Sequence, residues 1–282
     1  MITNYINWDI NPEIFKFFGI SLRYYGLLFA GGLVLCIYIL GWMFKREKIA
    51  PEKLEMLSIY AIIGIFVGAR LGHCLLYEPT YYLGHPLEMF LPIQPLPGGG
   101  YRFTGYQGLA SHGGGLGLIL ALILYSRKTK EPILKTLDLI AVVTPLSGAF
   151  IRLANLMNSE IIGIPTNVPW AFIFVSEDGI PRHPAQLYEA ISYFLIFGLT
   201  FYLFVNKRAK LQNGFFFGLS ITLIFIARFL IEFVKEKQVA FEEQMKLDMG
   251  QLLSIPFIIV GVGFIIYGLK KTRENRIANK LD

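Results

Sequence analysis

Charged residues are scarce in this sequence, at 16% of 282 residues. Soluble domains carry roughly 25% charged residues, and here 54% of the residues are hydrophobic. The shortage of charge therefore excludes an ordinary soluble domain and indicates a membrane protein. The 24 Phe and 15 Tyr residues fit lipid-facing surfaces and interfacial belts.

Cysteine is also scarce. Cys36 and Cys74 both lie inside apolar stretches, which suits buried reduced thiols and excludes a disulfide framework. No zinc or magnesium cage is visible in the residue spacing, so we expect no cofactor. A basic leader is missing as well, because Asp9, Pro12 and Glu13 precede the first apolar stretch. We therefore expect no cleavable signal peptide.

The net charge of +6 does not indicate a nucleic-acid partner. A nucleic-acid-binding protein concentrates Lys and Arg on one face of a soluble domain. Here these residues fall in short loops between apolar segments, so we expect no nucleic acid among the partners.

Seven apolar segments approach the ~20 residues that a helix needs to cross a bilayer. The sequence therefore predicts an all-α integral membrane protein with about seven transmembrane helices, forming a single polytopic domain over 1–282. The predicted spans are Leu22–Phe44, Leu57–Tyr77, Gly108–Ser126, Ile133–Asn158, Ala185–Val205, Phe215–Val234 and Gln251–Leu269.

The loops also predict an orientation. Sixteen of the 26 Lys and Arg residues fall on one side of this arrangement, and seven fall on the other. By the positive-inside rule the N-terminus is outside, the C-terminus is cytosolic and 270–282 form a basic cytosolic tail. Residues 78–107 and 159–184 are then outward-facing loops, long enough to be functional. The stretch YYLGHPLEMFLP in the first is typical of a short amphipathic piece in the membrane interface.

The predicted fourth span ends in AFIRLANLMNSE, which brings charges into an apolar helix. At 3.6 residues per turn, Arg152, Asn155 and Ser159 share one face, with Glu160 nearer the membrane surface. A guanidinium beside an amide suits a phosphate. The alternative is an arginine that pins two helices through a glutamate partner.

Two other predicted spans carry arginines. In ARFLIEF, Arg228 and Glu232 are four residues apart and stack on one helix face, either as part of a site or as an ion pair that orders the bundle. In GARLGHCLLY, Arg70, His73 and Tyr77 follow one stripe. Arg70 either binds an anion or pairs with an acidic neighbour.

The predicted third span opens with SHGGGLG, in which three consecutive glycines are unfavourable for a helix. They allow either close backbone approach or an unwound turn whose N–H groups face an anion. His112 beside them is either a general base or hydrogen-bond donor, or a packing histidine. In the loop motif RHPAQLYE, residues 182–189 either serve the site or anchor the loop, and Tyr24 and Tyr25 are most simply interfacial aromatics.

Depth in the membrane favours one kind of site. Ionisable residues inside a bilayer usually face a bundle interior or a watery cavity. With the predicted orientation, every such candidate here falls in the outer half of the membrane. An ion path would cross the whole membrane, so the set indicates a cation-lined site for a phospholipid headgroup.

Six motifs, YYGL, SHGGGLG, IRLANLMNSEIIG, RHPAQLYE, ARFLIEF and MGQLLSIP, occur in an order that resembles the bacterial prolipoprotein diacylglyceryl transferase family. The resemblance runs from about residue 24 to 269. It implies a seven-span enzyme of the bacterial cytoplasmic (inner) membrane. It also implies transfer of a diacylglyceryl group from phosphatidylglycerol to the lipobox cysteine of a preprolipoprotein, with glycerol 1-phosphate released. Its partners would be phosphatidylglycerol, the signal peptide of the preprolipoprotein and membrane lipid.

The resemblance also implies site residues. Catalytic positions would be His112, Arg152, Glu160, Arg228 and Glu232, and substrate-binding positions Tyr25, Arg70, Arg152, Asn155, Asn158 and Gly163. Family members often carry a tyrosine four residues before the arginine of the sixth span, whereas this chain has Ile224.

The reaction needs a thiolate and cations that stabilise the departing phosphate. We expect Arg152 and Arg228 to clamp the phosphate and Glu232 to orient Arg228. Asn155 would bind headgroup hydroxyls or phosphate. His112 is the first candidate for the base, with Glu160 and Glu232 as rivals. A small-anion transporter and a lipid-binding structural protein are the alternatives, although a transporter predicts polar residues in the inner half and repeat symmetry.

Overall fold

The structure is a computed structural model that describes residues 5–17, 20–91, 93–96, 99–103, 110–237, 245 and 247–278. The chain forms two compact units. The larger unit contains residues 1–43 and 137–282, and the smaller unit contains residues 44–136. The single domain expected over 1–282 stays a prediction.

Membrane-length helices dominate the described chain. Six segments are long and apolar enough to cross a bilayer: Tyr24–Arg46, Pro51–Tyr77, Ile133–Met157, Ala185–Lys210, Phe215–Val234 and Met249–Lys270. Large apolar side chains on them stay exposed, such as Val34 at 66% and Leu195 at 69%. Such exposure is expected where lipid surrounds a helix and every backbone group must be satisfied internally. The chain is thus an all-α integral membrane protein.

The predicted third span, Gly108–Ser126, corresponds to a helix at Ser111–Thr129, and residue 108 lies outside the described residues. This helix is not among the six segments that reach membrane-spanning length and hydropathy within the described chain. Seven spans and an outward N-terminus therefore stay predictions.

The helices are α1 (Tyr24–Arg46), α2 (Pro51–Gly72), α3 (Pro79–Gly84), α4 (Pro86–Phe90), α5 (Ser111–Thr129), α6 (Ile133–Met157), α7 (Ala185–Lys207), α8 (Phe215–Ile231) and α9 (Met249–Ala278). The strands are β1 (Ile6–Trp8), β2 (Glu13–Phe17), β3 (Ile20–Arg23), β4 (Ile93–Pro95), β5 (Tyr101–Phe103), β6 (Phe172–Phe174) and β7 (Pro181–Arg182). The strands are short and lie outside the six spans.

A three-stranded sheet in the larger unit supports the end of α6. β1 pairs in parallel with β6, and β6 pairs antiparallel with β7. Trp8 on β1 donates its indole N–H to the carbonyl oxygen of Leu156 at 2.9 Å. Leu156 also belongs to a buried cluster with Ile162, Phe172 and Phe174. The last turn of α6 is therefore fixed from outside the helix.

Small residues allow the helices of the larger unit to approach closely. The side chain of Phe150 on α6 lies against Gly32 on α1, where an added Cβ would lie 2.6 Å from the Cβ of Phe150. Gly218 on α8 similarly faces the carbonyl oxygen of Gly261 on α9. Small residues at helix interfaces are the usual way that membrane helices gain contact area.

In the smaller unit, glycines at four-residue intervals join α2 to α5. Gly64, Gly68 and Gly72 on α2 face Gly113 and Gly117 on α5. An added Cβ on Gly64 would lie 2.6 Å from the carbonyl oxygen of Gly117. The predicted close backbone approach at SHGGGLG is therefore confirmed. The alternative of an unwound turn is wrong, because α5 is helical from Ser111 onward.

The predicted stripe of Arg70, His73 and Tyr77 crosses a change of helix type. α2 ends at Gly72, and His73–Tyr77 form a π-helical turn. The wider turn rotates the side chains relative to an α-helix, so the 3.6-residue spacing does not apply beyond Gly72. The ring of His73 stacks on Tyr77 with centroids 6.0 Å apart.

The helices α3 and α4 form the amphipathic piece that the sequence predicts. Leu83 and Phe90 are exposed, at 69% and 64%, whereas Tyr82 and Glu88 are buried. The Tyr81 hydroxyl donates to Glu88 at 2.8 Å. An apolar outer face over a polar, hydrogen-bonded inner face suits contact with lipid.

Candidate active site

The end of α6 is a left-handed cap. The helix ends at Met157, and Ser159 has a φ of 55°. The N–H of Ser159 donates to Leu156 at 3.1 Å, and that of Glu160 donates to Asn155 at 3.0 Å. This pattern closes the last turn and satisfies its free carbonyls. The prediction that Ser159 shares a helical face with Arg152 is wrong, because the chain has left the helix there.

Glu160 lies between two left-handed residues. Ile161 follows it with a φ of 60°, which is rare for a β-branched side chain and stores strain of roughly 1–3 kcal/mol. Such strain persists only where the surroundings fix the conformation, and it is common at functional sites. Gly163 then passes close to His183 and Val234, where an added Cβ would lie 2.5 and 2.6 Å from their carbonyl oxygens.

Three side-chain amides hold Glu160. Asn155 donates to its Oε2 at 3.1 Å and Asn158 donates to its Oε1 at 3.0 Å. Gln186 from α7 donates to its backbone carbonyl at 2.6 Å. Both carboxylate oxygens are therefore fixed in direction while the residue itself stays exposed.

The same three amides leave their oxygens available. Asn155 Oδ1, Asn158 Oδ1 and Gln186 Oε1 are buried atoms without a hydrogen-bond donor among the described residues. A buried acceptor without a donor costs about 1–3 kcal/mol. These oxygens can therefore accept hydrogen bonds from hydroxyl groups of a bound molecule.

Glu160 also lines a cavity of about 450 Å³. Its walls are Ser159, Glu160, Ile161, Ile162, Glu177, Glu236 and Lys237. The carboxylate therefore faces a space that a small polar group can enter.

Arg152 forms an ion pair with Glu189 on α7. The Nε of Arg152 lies 2.8 Å from Oε2 of Glu189, whose side chain is completely buried. Among the described residues, neither Glu189 oxygen has a partner in hydrogen-bond geometry, so the contact is one of charge rather than of aligned donor and acceptor. This pair is the helix-pinning partner that the sequence left as an alternative. The guanidinium keeps further donors, so binding of a phosphate stays a prediction for Arg152.

Lys235 continues this arrangement. Its Nζ lies 3.8 Å from Oε1 of Glu189 and 3.1 Å from Oε2 of Glu232. The Lys235 side chain is only 4% exposed. Sequence reasoning treated Lys235 as a loop cation and missed it, although its spacing of three residues from Glu232 is a signal for an ion pair. Arg152, Glu189, Lys235 and Glu232 form what we call the charge chain.

The predicted ion pair between Arg228 and Glu232 is wrong. α8 ends at Ile231, and Glu232 begins a 3₁₀ turn that extends to Val234. Within the described part of the chain, Arg228 makes no ion pair, and Glu232 pairs with Lys235 instead.

Tyr193 of α7 lies within electrostatic range of both Arg228 and Arg152, and also of Glu189. The ring of Tyr193 lies against Gly148, where an added Cβ would be 3.0 Å from the ring. Ile224, at the position of the family's tyrosine, packs against the buried cluster that contains Tyr193. A phenol from α7 therefore lies close to Ile224, the position of the family's tyrosine.

Three other predicted site residues lie on α1, α2 and α5. Tyr25 is the second residue of α1 and is half-buried. In the smaller unit, Arg70 is buried and donates to the backbone carbonyl oxygens of Met89, at 3.1 Å, and Glu88. His112 lies in the first turn of α5, and its side chain is outside the described part of the structure. Substrate contacts by these residues stay predictions.

The loop at residues 159–184 is anchored by Arg182. Its guanidinium donates to Asp178 at 2.8 Å, to the Gly163 carbonyl at 3.0 Å and to Glu236 at 3.1 Å. The hydrogen bond from Arg182 holds the pKa of Asp178 below its usual value. These contacts support the loop-anchoring interpretation of Arg182, and they fix Gly163.

An aromatic group anchors the rest of this loop. His183 Nδ1 lies 3.0 Å from the Tyr188 hydroxyl, to which Trp170 also donates at 2.8 Å. Burial lowers the pKa of His183. The motif thus serves both interpretations, since Gln186 and Glu189 reach the site while Arg182 and His183 hold the loop.

Comparison with known proteins identifies the family of the chain. A family model described as prolipoprotein diacylglyceryl transferase matches residues 12–267. The chain belongs to the prolipoprotein diacylglyceryl transferase family. Within it, the chain is 57% identical over 268 residues to the phosphatidylglycerol–prolipoprotein diacylglyceryl transferase of Bacteroides fragilis, covering 95% of this chain and 97% of the relative.

Two further relatives bear the same name. The protein of Chloroherpeton thalassium is 43% identical over 272 residues, covering 96% of this chain and 97% of the relative. That of Porphyromonas gingivalis is 41% identical over 293 residues, covering 98% of each chain. The family resemblance that the motifs predicted is therefore confirmed over nearly the whole chain.

Proposed function

We propose that this chain transfers the diacylglyceryl group of phosphatidylglycerol to the lipobox cysteine of a preprolipoprotein, in the bacterial cytoplasmic membrane. The thiolate attacks the glycerol carbon that carries the phosphate ester. A carbon–sulfur bond forms, the carbon–oxygen bond breaks and glycerol 1-phosphate leaves with the bonding electrons. The thiol proton passes to a base.

One observation carries the proposal. The end of α6 brings Arg152, Asn155, Asn158 and Glu160 together with Gln186, in a chain whose relatives are named for this reaction. A guanidinium, hydroxyl acceptors and a carboxylate are what a glycerophosphate leaving group and a thiol require.

The two arginines would stabilise the leaving phosphate. Charge grows on the phosphate oxygen as the carbon–oxygen bond breaks, and fixed cations favour that change more than they favour the ground state. Arg152 is held by Glu189 at one edge, so its other donors keep a set direction. Arg228 makes no ion pair among the described residues and is therefore the more available cation.

The amide oxygens would recognise the headgroup. Phosphatidylglycerol ends in a glycerol whose hydroxyls are hydrogen-bond donors. Asn155 Oδ1 and Gln186 Oε1 are buried acceptors that lack a donor in the described structure. Pairing them with hydroxyls removes a desolvation cost, which favours this headgroup over one without hydroxyls.

The base is chosen from two of the three predicted candidates. The Glu232 carboxylate lies 3.1 Å from the Lys235 ammonium group and belongs to the charge chain, so we assign it to the ion pair. Glu160 faces the cavity with its direction fixed by two amides. Glu160 and His112 therefore remain the groups that could take the thiol proton.

Arg152→Lys and Arg152→Ala in purified enzyme test the proposal, with labelled phosphatidylglycerol and a lipobox peptide as substrates. Lysine keeps the charge but lacks the planar fork, so we expect a loss of kcat/KM of about tenfold or more, and a greater loss with alanine. Arg127→Ala, which removes an exposed arginine at the end of α5, is the matched control. Normal product formation by Arg152→Ala would refute the clamp. Anion flux into liposomes without any diacylglyceryl peptide would instead favour a transporter.

A further inference from the structure

The motif MGQLLSIP has no part in the reaction as described so far. It forms the start of α9, and its glycine, Gly250, is buried. An added Cβ on Gly250 would lie 2.8 Å from Oε2 of Glu232 and still closer to Oε1. The Glu232 carboxylate therefore occupies the space that any other residue at position 250 would fill.

Hydrogen bonds fasten the start of α9 at this place. Gln251, which is 2% exposed, donates to the carbonyl oxygen of Phe229 near the end of α8. The N–H of Asp248 donates to Gln251 Oε1 at 3.1 Å. α9 thus begins at a fixed position beside Glu232. The first turn of a helix carries free N–H groups and partial positive charge, which favours an adjacent carboxylate.

The charge chain connects Glu232, beside the start of α9, with Arg152 on α6. Lys235 pairs with Glu232 at 3.1 Å and approaches Glu189 at 3.8 Å, and Glu189 meets Arg152 at 2.8 Å. Glu189 and Lys235 are 0% and 4% exposed, so water does not screen these contacts. Two positive and two negative charges alternate, and each charge depends on its neighbour for compensation.

We propose that Gly250 is a positioning residue: its missing side chain admits the Glu232 carboxylate to the start of α9, and Lys235 and Glu189 relay that position to the Arg152 guanidinium. The inference rests on the proposed function, in which Arg152 contacts the lipid phosphate. Glu189, Lys235 and Glu232 are then positioning residues as well, because each acts on the substrate through Arg152.

Gly250→Ala is a selective perturbation. The added methyl group meets the end of a flexible side chain rather than backbone, so Glu232 must move while α9 keeps its course. Alanine also favours a helix over glycine. Gly263→Ala is the matched control, because it lies on the same helix and an added Cβ there meets nothing within 4 Å.

The experiment measures initial rates at varied phosphatidylglycerol content in mixed micelles, with saturating lipobox peptide. Binding of glycerol 1-phosphate is measured by calorimetry on the same proteins. A misplacement of about 1 Å at a reacting group can cost a hundredfold. We expect Gly250→Ala to lower kcat/KM for the lipid by about tenfold to a hundredfold and to weaken glycerol 1-phosphate, with Gly263→Ala within about twofold of wild type.

Two further variants separate positioning from general damage. Glu232→Asp is shorter by one methylene, so in the Gly250→Ala background it makes room for the methyl group and restores a substantial part of the lost activity. Glu189→Gln interrupts the same charge chain. The double variant Glu189→Gln/Gly250→Ala should therefore lose less activity than the product of the two single fold losses. Independent structural damage would give the full product and no rescue.

The outcomes distinguish the two proposals. Activity and binding of Gly250→Ala equal to those of Gly263→Ala would overturn the inference, as would a Glu232→Asp background that gives no rescue. If Gly250→Ala does not fold while Gly263→Ala does, the flexible-carboxylate argument is wrong and the inference falls. A wild type that binds glycerol 1-phosphate but forms no diacylglyceryl peptide rejects the proposed function, and the variants' binding still decides the role of Gly250.

Discussion

Replacing Gly117 by alanine tests whether α2 and α5 are joined by backbone-to-backbone approach. Gly117 lies in the motif that the sequence left open between packing and anion binding. Its added Cβ would overlap the carbonyl oxygen of Gly64 and lie 3.0 Å from the Cα of Gly68. Both are backbone atoms, which cannot rotate away, so α2 and α5 must separate. Gly115→Ala is the matched control, because nothing lies within 4 Å of its added Cβ.

The control isolates the packing contribution. Each substitution gains about 1 kcal/mol of helix propensity, and these gains cancel when the two variants are compared. What remains is the cost of forcing a methyl group into a closed contact, about 1–3 kcal/mol. For a chain of this size, each kcal/mol shifts the midpoint of thermal unfolding by about 2–4 °C. We expect Gly117→Ala to unfold several degrees below Gly115→Ala.

The assay is thermal unfolding of detergent-solubilised protein, followed by reactivity of the buried Cys74 in the smaller unit. Cys74 becomes accessible to a thiol reagent when that unit opens. Equal midpoints for the two variants would refute the close backbone approach of α2 and α5 at Gly117.

Two other predictions concern stability. Asp138 on α6 is completely buried and accepts from Arg208 at 2.8 Å and from the N–H groups of Gly214 and Phe217 at the start of α8, at 2.9 and 2.8 Å. Asp138→Ala removes all three of these hydrogen bonds, including the one to the Arg208 guanidinium, and should cost about 3–5 kcal/mol, measured as unfolding free energy. A stability equal to that of the exposed Asp9→Ala would contradict this. His183 has a pKa lowered from 6.5 by burial, so the folded state binds its proton more weakly than the unfolded state. The contribution of His183 to the free energy of unfolding is fully present above its pKa in the unfolded state. This contribution is lost as the pH falls through its pKa in the folded state. As the pH is lowered from about 7.5 to about 5, the midpoint temperature of unfolding should therefore fall less steeply in His183→Gln than in wild type or in the control His85→Gln. Identical pH dependences in the three proteins would count against the assignment of this effect to His183.

The spans were predictable because lipid leaves the backbone few choices. Without water, only hydrogen-bonded helices or closed barrels cross a bilayer, so apolar length alone locates the helices. Apolar length does not predict the backbone conformation at the ends of the spans, where side chains or loops decide it. The π-helical turn at His73–Tyr77 and the cap at Ser159 both arise from local hydrogen bonds that hydropathy does not register.

The candidate site was predictable in its residues but not in its partners. The motif around Arg152 identified Asn155, Asn158 and Glu160, and the structure joins these three through hydrogen bonds. No propensity would assign Ile161 a left-handed conformation, because its branched side chain opposes it. That conformation is what aims Glu160, so the geometry of the carboxylate could not come from the sequence.

The ion pairs could not be predicted from the sequence for a different reason. Spacing rules for helices matched Arg228 with Glu232, but the chain leaves the α-helix at Ile231 and the rule then has no basis. In the folded protein, Glu232 instead pairs with Lys235, and Glu189 pairs with Arg152.

Two positive and two negative charges compensate one another within the charge chain, so it carries no net charge. Arg228 stands outside it, half-buried and without an ion pair among the described residues. A cation in that position is costly until an anion reaches it. The phosphate of the lipid would therefore gain more from Arg228, whose charge is uncompensated, than from Arg152, whose charge Glu189 already neutralises.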